Sequence, residues 1–270
     1  MDIYTFDTDY FLREPEMIVT GDFEYQEFLS ERYGLKRILL KTGRGREGKE
    51  LLIKELEFIC QHQWIMTYHP NILHIFGRLP DDHRGRCSGL VLEIAGKNLS
   101  SVIRTLDKRQ QLSVAHDIIS GLDYIHSKEI AHGELTADNV FLAEDLTAKI
   151  TNFCHAGKIG TKRTVRNSSS FFKYYLQVVY KNVNSQIDFL QDLSINSDIR
   201  TFGVIIGAMN ADDFQDLSQK CIQGGANSMD ILQSLEYHMK HQVHKKAVSW
   251  TTIGCISMGG KSRIIKFSVV

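Results

Sequence analysis

Between residues 132 and 157 the chain runs HGELTADNVFLAEDLTAKITNFCHAG. Several side chains in this stretch have types that could do chemistry. Glu134 offers a carboxylate within two residues of His132, and an imidazole so placed could act as a base or sit buried in a structural role. Cys154 offers a thiol. No activating neighbour stands out, so it reads first as an inert packed cysteine. His238, His241 and His244 recur every third residue. A helix could gather two of them for a metal, although such a run is more often a solvated helix end.

These groups need elements to position them. Residues 17–41 read as extended, with the apolar ILL ahead of Lys41 at strand length. RGREG follows as a glycine-punctuated link. Leu51, Leu52, Glu55, Leu56, Ile59 and Cys60 keep helical spacing. HPNILHIFG and SGLVLEIAG read as two further strands. Leu112, Ala115, Ile118, Ile119, Leu122 and Ile125 predict a second helix. DIRTFGVIIGAM, from Asp198, is apolar on nearly all sides and predicts a buried helix capped by Ser197 or Asn196. MDILQSLEYHMKH predicts a last amphipathic helix. Strands come first and helices later, which predicts a small sheet-bearing lobe followed by a mostly helical one.

The totals restrict the function classes. The 270 residues are 43% hydrophobic and 24% charged with a formal net charge of zero, so no overall field selects nucleic acid or a membrane surface. The start lacks a basic, then apolar, leader, and no run reaches about 18 apolar residues. The five cysteines are odd in number and never form CxxC, the pattern of reduced thiols in a cytoplasmic protein.

HGELTADNV followed by TAKITNFCHAG resembles the catalytic and metal-binding loops of protein kinases, H-R-D-L-x-x-x-N and D-F-G. Other parts of that pattern occur in order. ILLK resembles the strand of the ATP lysine, KELEFI the helix of its glutamate partner, LVLEIAG the hinge, and SDIRTFGVII the buried helix of the large lobe. The likeness spans roughly residues 17–240, and ELTADN is nearer the tyrosine-kinase loop D-L-A-A-R-N than D-L-K-P-E-N. It implies an α+β, two-lobed fold: an N-terminal extension over 1–16, a small lobe over 17–92, a helical lobe over 93–242 shortened after 209, and a tail over 243–270.

The resemblance assigns Lys41 and Glu55 to the nucleotide phosphates, Glu93 and Ala95 to the hinge that borders adenine, Glu134 to the catalytic aspartate, and Asn139 and Asn152 to the metal. The departures are many. The glycine-rich loop falls on Val19, Gly21 and Glu24, with one glycine left. Glu134 is one methylene too long, and a misplacement of about an ångström costs about 100-fold in rate. Gly133 replaces the loop arginine and Asp138 reverses the tyrosine-kinase charge. Asn152-Phe153-Cys154 replaces D-F-G, and an amide oxygen binds a hard cation less well than a carboxylate. The adenine-flanking positions align with Leu39, Gln26 and Phe141; Gln26 is polar, and the larger apolar Leu39 and Phe141 could fill the slot. The A-P-E glutamate falls near Val178, its arginine partner near Gly225, and the substrate-docking region around Ala211 is missing. The supports are kept: an inter-lobe stack at Ile59, Ile75, His132 and Phe153, and the loop anchor Asp198. GKIGTKRTVR reads as an exposed basic loop, with Ser168, Tyr174 and Tyr175 as unspecific phosphorylation candidates.

The expected function is that of a pseudokinase with no required cofactor, binding ATP and Mg2+ weakly at most. It would act in the cytoplasm through a protein partner, either a kinase or an adaptor, with no nucleic acid and no membrane insertion. The alternatives are a weakly active tyrosine kinase or nucleotide-binding switch that uses Lys41, Glu55, Glu134 and Asn139, and a diverged product without stable function.

Overall fold

The computed structural model describes residues 4–6, 11–66, 68–80, 88–165, 189–209 and 214–248, apart from 31–35. The small lobe is a five-stranded antiparallel sheet in the order β1-β2-β3-β5-β4, made of β1 (Phe11–Thr20), β2 (Phe23–Ser30), β3 (Lys36–Gly43), β4 (Ile75–Arg78) and β5 (Leu90–Glu93). Pro15, which has no N–H to donate, sits at an irregularity between Arg13 and Met17 on the edge strand β1. The chain turns from β1 to β2 in two residues, with Gly21 at φ 52°, a left-handed conformation that glycine adopts without strain. β1 begins inside the span expected to be an extension, and Phe6 joins Ile38, Leu40, Leu79 and Val91 in a cluster on the outer face of the sheet.

Strand alternation sends Leu39 and Lys41 to the inner face. There α1 (Gly45–Gln61) lays down Leu52, Glu55, Phe58 and Ile59, spaced so that all four share one side of the helix. The RGREG segment, expected to be a link, supplies the first turn of α1 instead. Only the end of HPNILHIFG is a strand. Residues 69–74 run as a loop that reaches the large lobe through the bridge Ile72↔Ile150.

The large lobe contains α2 (Leu99–Val102), α3 (Lys108–His126), α4 (Ile195–Ala208), α5 (Gln215–Gln223) and α6 (Ser228–Val248). Its short strands form antiparallel pairs: β6 (Ile130–Ala131) with β9 (Gly157–Lys158), β7 (Val140–Leu142) with β8 (Ala148–Ile150), and β10 (Lys162–Val165) with β11 (Phe189–Asp192). A capping box between Asp107 and Gln110 starts α3, a device worth about 1 kcal/mol. α4 is buried nearly all round, as its composition predicts, but its N-cap is Ser194. The expected cap Ser197 is the third helical residue and completes a capping box with Ser194. α5 packs close to α4, since a Cβ on Gly203 would lie 2.7 Å from Cys221 Cβ. The basic GKIGTKRTVR segment, expected to be an exposed loop, contributes β9 and β10, with Lys162 paired to Asp192. The α6 backbone continues to Val248, past the expected lobe end. Val178, Ala211, Ser168, Tyr174, Tyr175 and residues 249–270 lie outside the described residues, as do the side chains of His241 and His244. Among the described residues, no helix is long and apolar enough to cross a membrane.

Candidate functional site

Lys41 is fully buried under the sheet, and its ammonium pairs with the Glu55 carboxylate from α1. The same Nζ donates to Asn152 Oδ1 at 2.9 Å and lies 3.8 Å from the centroid of the Phe23 ring. Burial, the largest single effect, would push the lysine down, but the Glu55 charge and hydrogen bond together with Tyr25 and Cys154 outweigh it and hold the group above its ordinary value. The second Glu55 oxygen accepts from the Phe153 N–H at 2.9 Å. Both ends of the ion pair are therefore committed inside the protein.

The hydrogen bonds continue into the large lobe. Asn152 Nδ2 donates to Asn139 Oδ1 at 3.0 Å, and Asn139 Nδ2 donates to the Glu134 carbonyl at 2.8 Å. Asn152 holds φ 68°, a region that asparagine enters more readily than most side chains. Of the two amide oxygens that the resemblance assigns to a metal, Asn152 Oδ1 thus accepts from Lys41 and Asn139 Oδ1 from Asn152 Nδ2. Both are neutral amide oxygens already engaged within the protein. A Mg2+ ion held by the protein relies on one or two carboxylates, so this donor set fits Mg2+ poorly.

The loop from 132 to 139 is held from beneath by Asp198. Its Oδ2 accepts from the His132 N–H at 2.8 Å and from His126 Nε2 at 2.9 Å, and its Oδ1 accepts from the Gly133 N–H at 2.9 Å. His132 is buried and its Nε2 meets the Thr151 carbonyl at 3.0 Å, a structural placement that keeps it from serving as an exposed base. The His132 ring packs on Phe153 at 5.3 Å, and Ile59 and Ile75 are buried in the same region. Asp138 accepts from Ser100 and Asn98 on and before α2 and braces the loop there. Glu134 itself is half-buried, with Oε2 3.1 Å from His155 Nε2. Glu134, Cys154 and His155 come together here. The sequence reading weighed Glu134 and Cys154 but passed over His155, whose signal was its position directly after the cysteine.

In the cleft between the lobes, Leu39 and Phe141 are fully buried. Gln26 does not join them. It pairs with Leu40 across the sheet and belongs to the outer face, because side chains alternate along a strand and the alignment was one residue out of step. The inner position belongs to Tyr25, which faces Lys41 across the strands and sets its ring 4.9 Å from Phe141. Burial pushes the Tyr25 phenol up to about 12. Phe23, two residues earlier on the same face, covers Lys41. A hollow of about 870 Å3 remains beside the hinge, lined by residues that include Ile18, Tyr25, Glu27, Ala95, Lys97 and Glu144. Ala95 borders it. The Glu93 side chain does not line it and accepts instead from the His74 N–H at 2.6 Å and from Lys149 Nζ at 3.1 Å. Lys41 does not line the hollow either.

The β1–β2 turn is pinned where a glycine arch would otherwise stand. The Arg44 N–H donates to the Asp22 carbonyl at 2.8 Å, the Arg44 guanidinium reaches the Gly21 carbonyl at 3.3 Å, and its Nε lies 3.2 Å from Glu24. A Cβ on Gly48 would sit 2.1 Å from the same Asp22 oxygen, so glycine there is what lets the turn close down. Gly225, where the family places an arginine, closes the α5 C-terminus by donating to the Lys220 carbonyl at 3.1 Å.

Comparison with known proteins agrees with this arrangement. The sequence profile described as "Protein tyrosine and serine/threonine kinase" matches residues 35–218. The chain is 26% identical over 195 residues to the Caenorhabditis elegans protein "Tyrosine-protein kinase csk-1", covering 69% of this chain and 33% of that one. It is 23% identical over 167 residues to "Serine/threonine-protein kinase pak-2" of the same organism, covering 60% and 29% respectively. It is 29% identical over 147 residues to "Tyrosine-protein kinase receptor svh-2", covering 51% and 13%. The chain thus matches a third or less of the length of each of these relatives.

Proposed function

This chain belongs to the protein tyrosine and serine/threonine kinase family, and from that premise we propose that it is a pseudokinase, a kinase-like domain that works by binding a protein partner rather than by transferring phosphate. One observation carries the reading. The chain of bonds from Glu55 through Lys41 and Asn152 to Asn139 uses up the groups that would otherwise hold nucleotide phosphates and Mg2+. Phosphoryl transfer depends on positioning and charge neutralisation by such groups. Phe23 and Tyr25 occupy the space above Lys41 that a phosphate would need. The supports that give the domain its shape remain, which suits a surface that must be presented in one conformation. In this reading the partner is another kinase or an adaptor, and the setting is the cytoplasm.

A second reading, a nucleotide-binding switch or weak tyrosine kinase, draws on the hollow beside Ala95. A purine could enter it without reaching Lys41. Thermal unfolding with and without millimolar ATP, each with and without Mg2+, separates the two, because a ligand that binds only the folded state raises the midpoint. The pseudokinase reading expects no shift under any of the four conditions. A shift without Mg2+ would establish the switch. A shift that requires Mg2+ would overturn the assignment of Asn139 and Asn152 to internal bonding.

A further inference from the structure

We propose that Glu134, Cys154 and His155 form a three-ligand site for a zinc-class divalent ion. One carboxylate oxygen, one thiol sulfur and one imidazole nitrogen from these residues lie within 4.8 Å of one another. Glu134 Oε2 and His155 Nε2 are 3.1 Å apart. In a tetrahedral zinc shell with Zn–N and Zn–O bonds near 2.0–2.1 Å, neighbouring donors stand roughly 3.4 Å apart, and a sulfur and a nitrogen roughly 3.6 Å. The carboxylate–imidazole pair is already near that spacing, and with all three donors within 4.8 Å of one another the thiol needs to close by no more than about 1.2 Å. Three protein donors leave a fourth position for water, the pattern of an open zinc site.

The scaffold gives these donors a fixed base. The β6–β9 pair joins Ala131 to Gly157 and Ile130 to Lys158, so the loop carrying Glu134 and the loop carrying Cys154 and His155 leave from two hydrogen-bonded strands. Asp198 anchors the first loop through the His132 and Gly133 N–H groups. Gly133, at φ 78°, lets the loops meet, since a Cβ there would stand 2.6 Å from the His155 carbonyl oxygen. Cys154 is buried while the Glu134 and His155 side chains are 18% and 28% exposed, which leaves an entry path. The chemistry selects the ion. Thiolate and imidazole favour zinc, cobalt or copper over magnesium. Binding displaces the thiol proton to solvent as the metal–sulfur bond forms, and thiolate plus carboxylate then balance the two positive charges. This site goes beyond the pseudokinase reading and does not depend on it.

The test uses the full chain, stripped of metal and kept reduced, titrated with Co2+ alone. The expected result is about one ion per chain with a thiolate-to-cobalt charge-transfer band in the near ultraviolet and the intense visible bands of four-coordinate cobalt. Zn2+ should abolish both, and millimolar Mg2+ should leave them unchanged. Cys154→Ser should remove the charge-transfer band, and His155→Ala should weaken binding by more than about 100-fold. Metal-free unfolding midpoints establish that each variant folds. Should either fail to fold, X-ray absorption of the zinc-loaded wild type decides, with one sulfur among nitrogen and oxygen neighbours expected. A wild-type spectrum with no thiolate band, or a zinc shell without sulfur, overturns the proposal. So does binding unchanged in both variants, which would move the ion elsewhere, to the His238 run for example. Failure of this site leaves the ATP result untouched, and an ATP–Mg2+ shift leaves the cobalt result untouched.

Discussion

Lys41→Met is the change that would silence a working kinase, and in this chain it should act first on stability. Lys41 is wholly buried and Glu55 nearly so, and the carboxylate's remaining partner after the substitution is the Phe153 N–H. Removing one member of a buried pair leaves an uncompensated charge, at a cost of about 3–5 kcal/mol. No discount for solvent screening applies at this depth. Asn152 Oδ1 loses its donor as well, which places the sum toward the upper end. For a chain of this size each kcal/mol lowers the midpoint by about 2–4 °C, so the midpoint should fall by roughly 6–20 °C. The double variant Lys41→Met/Glu55→Leu should recover most of the loss, because replacing both partners with apolar groups of similar volume is close to neutral. Urea unfolding of the wild type, both single variants and the double variant measures the coupling directly. A loss under about 1 kcal/mol for Lys41→Met, with no recovery in the double variant, would mean that water or a ligand reaches the pair. The claim of a self-satisfied site would then be wrong.

Three further outcomes follow from the same geometry. Asn152→Asp puts an acceptor opposite Asn139 Oδ1 where a donor stood at 3.0 Å, and should lower stability by about 1–3 kcal/mol in chelator, with part of the loss returning in millimolar Mg2+. Equal urea midpoints for variant and wild type would refute the amide chain. Gly133→Ala must enter φ 78° and press a methyl group against the His155 carbonyl. About 1–2 kcal/mol of backbone strain and about 1–3 kcal/mol of overpacking are expected, and wild-type stability on calorimetry would show that the two loops are not in close contact. Burial, then the charge of Lys149, holds His69 below its ordinary 6.5, and burial and Lys149 outweigh Glu93 in doing the same to His74. The folded state therefore binds fewer protons than the unfolded chain, and stability present above pH 6.5 should be lost as pH falls through the lowered values. The thermal midpoint followed from pH 7.5 to 5.5 should drop less in a His69→Gln/His74→Gln variant than in the wild type.

Much of this architecture was legible because it rests on periodicity. The stripe on α1, the apolar α4 and the alternation that buries Leu39 and Lys41 are local patterns that fix a face before any tertiary contact is known. What was not legible depended on register and on pairing over long distances. The choice between Gln26 and Tyr25 turned on a single residue of strand register, which the sequence leaves open because both neighbours suit a strand. The capping role of Ser194 was hidden by two other capable residues, Asn196 and Ser197, in the next turn. His155 was missed because its partner Glu134 lies on a different loop, brought beside it by the pairing of β6 with β9. The pinning of the Gly21 turn by Arg44 has the same character, since nothing near Arg44 in sequence points to Asp22.

The exchange of aspartate for asparagine at residue 152 changes the charge balance of the whole centre. With Lys41 positive, Glu55 negative and both Asn139 and Asn152 neutral, the bonded chain carries no net charge and every link has a donor facing an acceptor. A carboxylate at residue 152 would leave one negative charge in excess within a buried space, a state that costs several kcal/mol unless a cation joins it. In this chain neutral amides complete the arrangement: Lys41 bonds Glu55 and Asn152, and the Phe153 N–H donates to Glu55, so these groups are satisfied by protein partners. On the proposed pseudokinase reading, a domain built this way would hold one conformation whether nucleotide is abundant or absent, and a partner that reads that conformation would meet a constant surface.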